Sequence, residues 1–125
     1  DNAWFGVTVT GKADLWRIDA LRKNVGARHY FITFEPLFND PGMVDLSGIS
    51  WIVVGTMTGA QKNKINTEPA WTYSLTEQAH ALEIPVFWKE DLIPIMGEEN
   101  MIQELPNEYN RVLEEQRKWN SRRSK

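Results

Sequence analysis

Short apolar runs alternate with amphipathic stretches along this chain, and each run ends in a small or charged cluster: WFGVTVTG, HYFITFEPL, WIVVGTMTG and VFWKEDL. The runs begin at Trp4, His29, Trp51 and Val86, spaced 25, 22 and 35 residues apart, and each interval has room for about one strand and one helix. That rhythm predicts a parallel α/β sheet. Trp4 to Val9 reads as the first strand, closed by Thr10-Gly11. Leu15, Ile18, Leu21 and Val25 then recur at helical spacing, predicting a helix over 13–24 that Gly26 stops. The second strand is His29 to Phe34, ended by Glu35-Pro36 because proline brings no amide donor to the ladder.

Asn39 to Gly42 marks a turn, and Leu46 to Ile49 a short connector before the third strand, Trp51 to Val54. This strand is the most apolar of the four, as expected where both faces are covered. The segment from Gly55 to Asn66 has almost no large apolar residue and reads as a loop. Thr67-Glu68-Pro69 is a helix start, after which Trp71, Leu75, Ala79 and Leu82 share one face. Ile84 to Lys89 is the fourth strand. Either the irregular stretch from Asp91 to Leu105 folds over an opening of the sheet, or self-association covers that opening. Pro106 opens a last helix striped by Tyr109, Val112, Leu113, Gln116 and Trp119. These elements predict one α/β domain over 1–120, a four-stranded mainly parallel sheet with flanking helices, equivalent to half of a (β/α) barrel. Residues 121–125 are expected to form a basic disordered tail.

A length of 125 residues with 42% apolar residues supplies one core. A net charge of −3 gives no general attraction to nucleic acid or anionic lipid. No apolar run approaches the ~18 residues of a membrane span, and the start lacks the layout of a signal peptide, so a cytoplasmic location is expected. Cysteine is absent, which removes disulfides, thiolate nucleophiles, cysteine zinc sites and ligands for an iron–sulfur cluster. The chain opens at Asp1, close to a strand and without an initiator Met, which suggests a piece of a longer polypeptide.

Parallel sheets carry ligands at the carboxyl ends of their strands, so the clusters that follow the apolar runs are the candidate site. Glu35 emerges at that lip as a candidate base or ligand-holding carboxylate, and Lys89 as a cation for a carboxylate or phosphate. Their mutual pairing, or pairing of Lys89 with Glu90 or Asp91, is the simpler structural alternative. Gly55, Thr56, Thr58 and Gly59 offer amides and hydroxyls after the third strand, as Thr8 and Thr10 do after the first; all six are candidate cofactor contacts, equally readable as scaffold. This composition lacks the lysine of a P-loop and the three glycines of a dinucleotide fingerprint. His29 and His80 have no partner at metal-ligand spacing, and no metal site is expected. The basic end from Arg117 to Lys125 reads as a solvated helix terminus, leaving nucleic-acid binding unsupported. Glu35 with Lys89 also allows a hydrolase, although no triad or carboxylate pair accompanies them.

WFGVTVTG resembles a W-L-G-V-S-V-E strand, HYFITFEPL resembles R-F-L-S-I-E-P-L, and DLSGISWIVVGTMTG resembles D-L-S-G-L-D-W-V-I-V-G-G-E-S-G. IPVFWKEDLIPIMGEENMIQELP resembles a closing V-P-F-F-x-K segment. Over residues 1 to 106 these motifs together resemble the carboxyl-terminal half of a radical S-adenosylmethionine-like phage family named after gene products thirty-seven and sixty-eight. The resemblance implies a (β/α) barrel whose amino-terminal half carries the cysteines of a [4Fe-4S] cluster. It also implies strand ends facing S-adenosylmethionine and substrate, with Glu35 and Lys89 at matching positions. Where the family pattern has acids, this chain has Thr10 after the first strand and Met57 or Thr58 after the third. The expectation is a portion of an enzyme that is inactive without its cluster-binding half; the alternative is a non-catalytic phage accessory domain holding a polar ligand or a protein. The expected partner is the missing amino-terminal half, or a second copy in a homodimer, because a half barrel leaves edges and one face uncovered.

Overall fold

A computed structural model describes residues 3–58 and 65–123. Its elements run β1 (Trp4–Thr8), α1 (Trp16–Asn24), β2 (His29–Phe34), β3 (Trp51–Val54), α2 (Pro69–Ala81), β4 (Val86–Trp88), α3 (Ile93–Met96) and α4 (Asn107–Arg123), with short 3-10 turns at Lys12–Asp14, Glu90–Leu92 and Glu98–Asn100. All neighbouring strands are parallel, in the spatial order β1-β2-β3-β4. Sequence order and spatial order therefore coincide, and crossovers of one hand place the connecting segments on the same side of the sheet.

That side is the core. Ile32, Ile52 and Val86 lie in one cross-strand row, Phe34, Val54 and Trp88 in the next, and all six are fully buried. Ile18 and Leu21 of α1 and Leu75 and Ala79 of α2 are buried too, and Ile18, Leu75 and Ala79 pack in one cluster with these rows. No helix connects β2 to β3; Leu37, Leu46 and Ile49 of that connection fill the corresponding part of the core. Trp88, the largest buried side chain, donates its indole N–H to Thr76 Oγ1 at 3.0 Å.

Alternation sends the other residues of each strand to the opposite face. Phe31, Thr33, Trp51, Val53 and Phe87 stand there half-buried. β3, expected to be covered on both faces, is covered on one. A hollow of about 360 Å³ at the lower part of this open face is lined by Trp4, Phe31, Trp51, Phe87, Leu105 and Pro106. The Phe31 ring occupies the space above Gly6, where an added Cβ would come within 2.5 Å of it.

The two edges of the sheet differ. Residues 102–104 run antiparallel along β4: Trp88 N donates to Ile102 O at 2.7 Å, Glu104 N to Val86 O at 2.8 Å, and Gln103 Nε2 to Trp88 O at 3.0 Å. The Glu104 carboxylate accepts from Val86 N at 2.9 Å and meets His80 Nε2 at 2.7 Å, while its carbonyl accepts from Trp51 Nε1 at 2.9 Å. The irregular stretch thus straps the β4 edge and reaches the foot of the open face rather than spanning it. No strand lies beyond β1 among the described residues, and Phe5 and Trp16 are exposed on that flank.

Several local expectations shift. The first helix starts at Trp16 because Lys12–Asp14 forms a 3-10 turn, with Asp14 accepting from the amide and hydroxyl of Thr10. Val25, extended, ends that helix rather than Gly26. Leu82, placed on the apolar stripe, is 54% exposed beyond the end of α2. β4 is shorter than 84–89, and α4 continues through Arg123, where a tail from 121 was expected; cations at a helix carboxyl end interact favourably with the helix dipole. No described helix is long and apolar enough to cross a membrane.

Gly6→Ala should cost about 1–3 kcal/mol, the usual range for forcing an extra carbon into an occupied space. Urea denaturation checks this; an unchanged midpoint would contradict the close seat of Phe31 on β1.

Candidate functional site

At the carboxyl ends the open face changes from aromatic to polar. Two residues above Trp51 stands Val53, and two further is Gly55; the same step leads from Phe31 through Thr33 to Glu35, and from Phe87 to Lys89. β2 and β4 are separated by β3, a span of about 9–10 Å. Lys89 Nζ nevertheless donates to Glu35 Oε1 at 2.6 Å. Gly55 permits this: a Cβ there would lie 3.0 Å from Glu35 Cγ and 3.1 Å from its Cδ, so the Glu35 side chain passes over the position a larger residue would fill. Backbone bonds fix the same three ends, with Gly55 N donating to Phe34 O at 2.9 Å, Leu37 N to Gly55 O at 3.0 Å and Lys89 N to Val54 O at 2.9 Å. The Glu35–Pro36 peptide is cis.

The hydrogen bond to Glu35 is the main reason that the Lys89 ammonium is held above its ordinary 10.5, with the charges of Glu35 and Asp91 adding and burial opposing. Lys89 therefore acts here as a cation rather than a base. Asp91 is the second carboxyl group of this rim. Its Oδ1 accepts from Thr56 N at 3.2 Å, and burial raises it above 3.8, helped by Glu35 and opposed by the Thr56 amide and Lys89. Glu35 leans on Gly55 and Asp91 is bonded to Thr56, so one dipeptide at the end of β3 anchors both.

The structure brings Glu35, Lys89 and Gly55 together and assigns several other expected contacts to the scaffold. Thr10 gives its hydroxyl and amide to Asp14, at 2.6 and 3.1 Å. Thr56 is buried, and its hydroxyl accepts from Thr67 N at 3.1 Å, while Thr67 Oγ1 donates to Leu37 O at 2.8 Å. Thr8 is exposed on β1, where its carbonyl accepts from Arg17 Nη1 at 3.2 Å. Thr58 is exposed and lines a cleft of about 240 Å³ with Thr56, Met57, Asn66, Asp91, Pro94 and Ile95. Gly59 lies outside the described residues. His29 stacks on Trp4 with ring centroids 4.3 Å apart, and His80 is at the strap, both away from the rim. Among the described residues no group of three His, Cys, Asp or Glu side chains could hold a metal ion.

Asp91 is the rim residue that the sequence presents only as a possible partner for Lys89. Its anchor is a backbone amide 35 positions away, which leaves no local pattern.

Two pH-dependent outcomes follow. A group raised in the folded state lends stability that is complete below its unfolded pKa and is lost as pH climbs through the folded one. For Lys89 that loss begins above 10.5 and is small, because exposed pairs contribute about 0.2–1 kcal/mol. Gly55→Ala should push Glu35 aside, returning the Lys89 ammonium toward 10.5 in a side-chain nitrogen NMR titration; an unshifted titration would contradict the bridge. For Asp91 the loss begins above 3.8, so Asp91→Asn should gain stability relative to the parent as pH rises from there through the folded pKa. Denaturation midpoints across that range test it, and a constant difference between the two proteins would refute it.

Residues 1–122 match the model of a family described as protein of unknown function (DUF5131), and the chain belongs to that family. Neither the curated proteins nor the solved structures gave a match.

Proposed function

We propose that this chain forms the carboxyl-terminal half of a (β/α) barrel enzyme of the radical S-adenosylmethionine-like kind. Its rim of Glu35, Gly55 and Lys89 faces the ligand, and it is inactive without strands supplied from outside these residues. The observation carrying this reading is the one-sided sheet: four parallel strands in sequential order, packed on one face, with an aromatic open face that leads up to a charged rim. An inner barrel wall has this layout, with apolar residues in the lumen and chemistry at the carboxyl ends. The completing strands pair at the β1 edge and cover the open face.

The rim suits S-adenosylmethionine at its amino-acid end. A ligand ammonium would meet the Glu35 carboxylate and a ligand carboxylate the Lys89 ammonium, replacing one internal pair of 2.6 Å by two pairs to the ligand. When bound in the completed enzyme, that group would supply a radical source. The residues of this chain bind and orient it, and Lys89 keeps its proton throughout. An iron–sulfur cluster fits nothing here, because the sequence has no cysteine.

A second reading, a non-catalytic phage accessory domain in the cytoplasm that holds a polar ligand or protein, draws on the rim threonines. Thr10 and Thr56 spend their hydroxyls on Asp14 and Thr67, leaving fewer groups for a cofactor.

Titration of the chain with S-adenosylmethionine, followed by amide NMR, separates the two. The enzyme reading expects saturable shifts around Glu35 and Lys89, weakened at least tenfold in Glu35→Gln and Lys89→Met. No saturable shift at millimolar ligand, or equal binding by both variants, would contradict it. Binding of nucleotides or DNA in its place would favour the second reading.

A further inference from the structure

Among the described residues, the 240 Å³ cleft beside the rim has walls of neutral residues, Thr56, Met57, Thr58, Asn66, Pro94 and Ile95, and one charged lining residue, Asp91. We propose that this cleft is a subsite for a cationic group, a primary ammonium or guanidinium, with the Asp91 carboxylate as its counter-ion and the Thr58 and Asn66 side chains as flanking polar contacts. The inference deepens the reading of the carboxyl rim as a ligand site and adds a group that neither Glu35 nor Lys89 supplies.

A partly buried carboxylate is costly unless a cation or several donors meet it. At this rim the near cation, Lys89, donates to Glu35 at 2.6 Å and acts on Asp91 through its charge without a direct bond. Among the described residues Asp91 forms no ion pair within 4.0 Å, and its hydrogen bond is the one from Thr56 N at 3.2 Å. With all three rim side chains ionised, Glu35, Lys89 and Asp91 sum to one negative charge, and a bound cation brings that sum to zero. Burial acts in the same direction, since it holds Asp91 toward its neutral form until a cation arrives.

Placement supports the same assignment. Asp91 is fixed from two sides, by the Thr56 amide two residues past the end of β3 and by its own 3-10 turn, Glu90–Leu92, shortly after β4. Glu35 is anchored on Gly55 and Asp91 on Thr56, so a ligand engaging the Glu35–Lys89 pair has the Asp91 cleft one residue away along the end of β3. A ligand with two polar ends, one of them cationic, fits that spacing better than a compact anion.

The Thr56 amide, bonded to Asp91, is a built-in reporter. Titration of the chain with n-butylamine at neutral pH, with n-butanol and butyrate as neutral and anionic controls of the same length, should shift the Thr56 amide resonance only with the amine. Asp91→Asn keeps an acceptor for Thr56 and should weaken amine binding at least tenfold, whereas Lys89→Met should leave it equal or stronger. Equal shifts with butanol, a stronger response to butyrate, or an undiminished response in Asp91→Asn would overturn the proposal. Absence of S-adenosylmethionine binding by the parent chain, with amine binding intact, would locate the failure in the enzyme reading instead.

Discussion

One constraint governs this molecule: the strands lie in space in the order in which they occur in the chain, all pointing the same way. Connections of one hand then collect on a single face, and strand alternation divides each apolar run into two sets. Ile32, Phe34, Ile52, Val54, Val86 and Trp88 go to the packed side and are fully buried. Phe31, Trp51, Val53 and Phe87 go to the other side, where no second layer lies among the described residues. The strap at 102–104 closes the β4 edge, so what remains open is the β1 edge and the aromatic face. That combination orders a rim and leaves one edge and one face open.

The rim shows how a parallel sheet gathers distant residues. Glu35 and Lys89 are 54 positions apart and meet at 2.6 Å because the intervening strand ends in a glycine. Gly55, read from sequence as a place for a ligand to approach the backbone, serves first as the gap through which one side chain of the protein reaches another. Thr10 and Thr56 have a similar history. Their small polar side chains mark strand ends as expected, and their hydrogen bonds hold the connecting segments in place. Their scaffolding leaves the charged groups, Glu35, Lys89 and Asp91, as the chemistry the rim can offer a ligand.

The fold was legible because its signals are local. Apolar runs of four to six residues, glycine and proline at their ends, and Glu68-Pro69 at the start of α2 each act within a few positions, and they gave strand identity, order and the parallel arrangement. The joining of Glu35 and Lys89 was legible as an alternative because both follow buried strands directly. What stayed hidden depends on backbone partners far along the chain. The strap pairs through main-chain groups of Ile102 and Glu104, which carry no side-chain signature. Asp91 is held by the amide of Thr56, and Asn39 receives the amide of Lys12 across 27 positions. β3 looked doubly covered because Trp51 and Val53 are as apolar as Ile52 and Val54; composition alone does not separate a core face from an open one.

The absence of cysteine makes the two faces directly measurable, since a single introduced thiol has no competitor. Ile52→Cys and Val53→Cys place that thiol on adjacent residues of β3 that point to opposite sides. With an aromatic disulfide reagent, the thiol at 53 should react freely and the thiol at 52 more slowly by a factor on the order of 100, because it must wait for the core to open. Equal rates, or faster reaction at 52, would contradict the one-sided sheet on which the account stands.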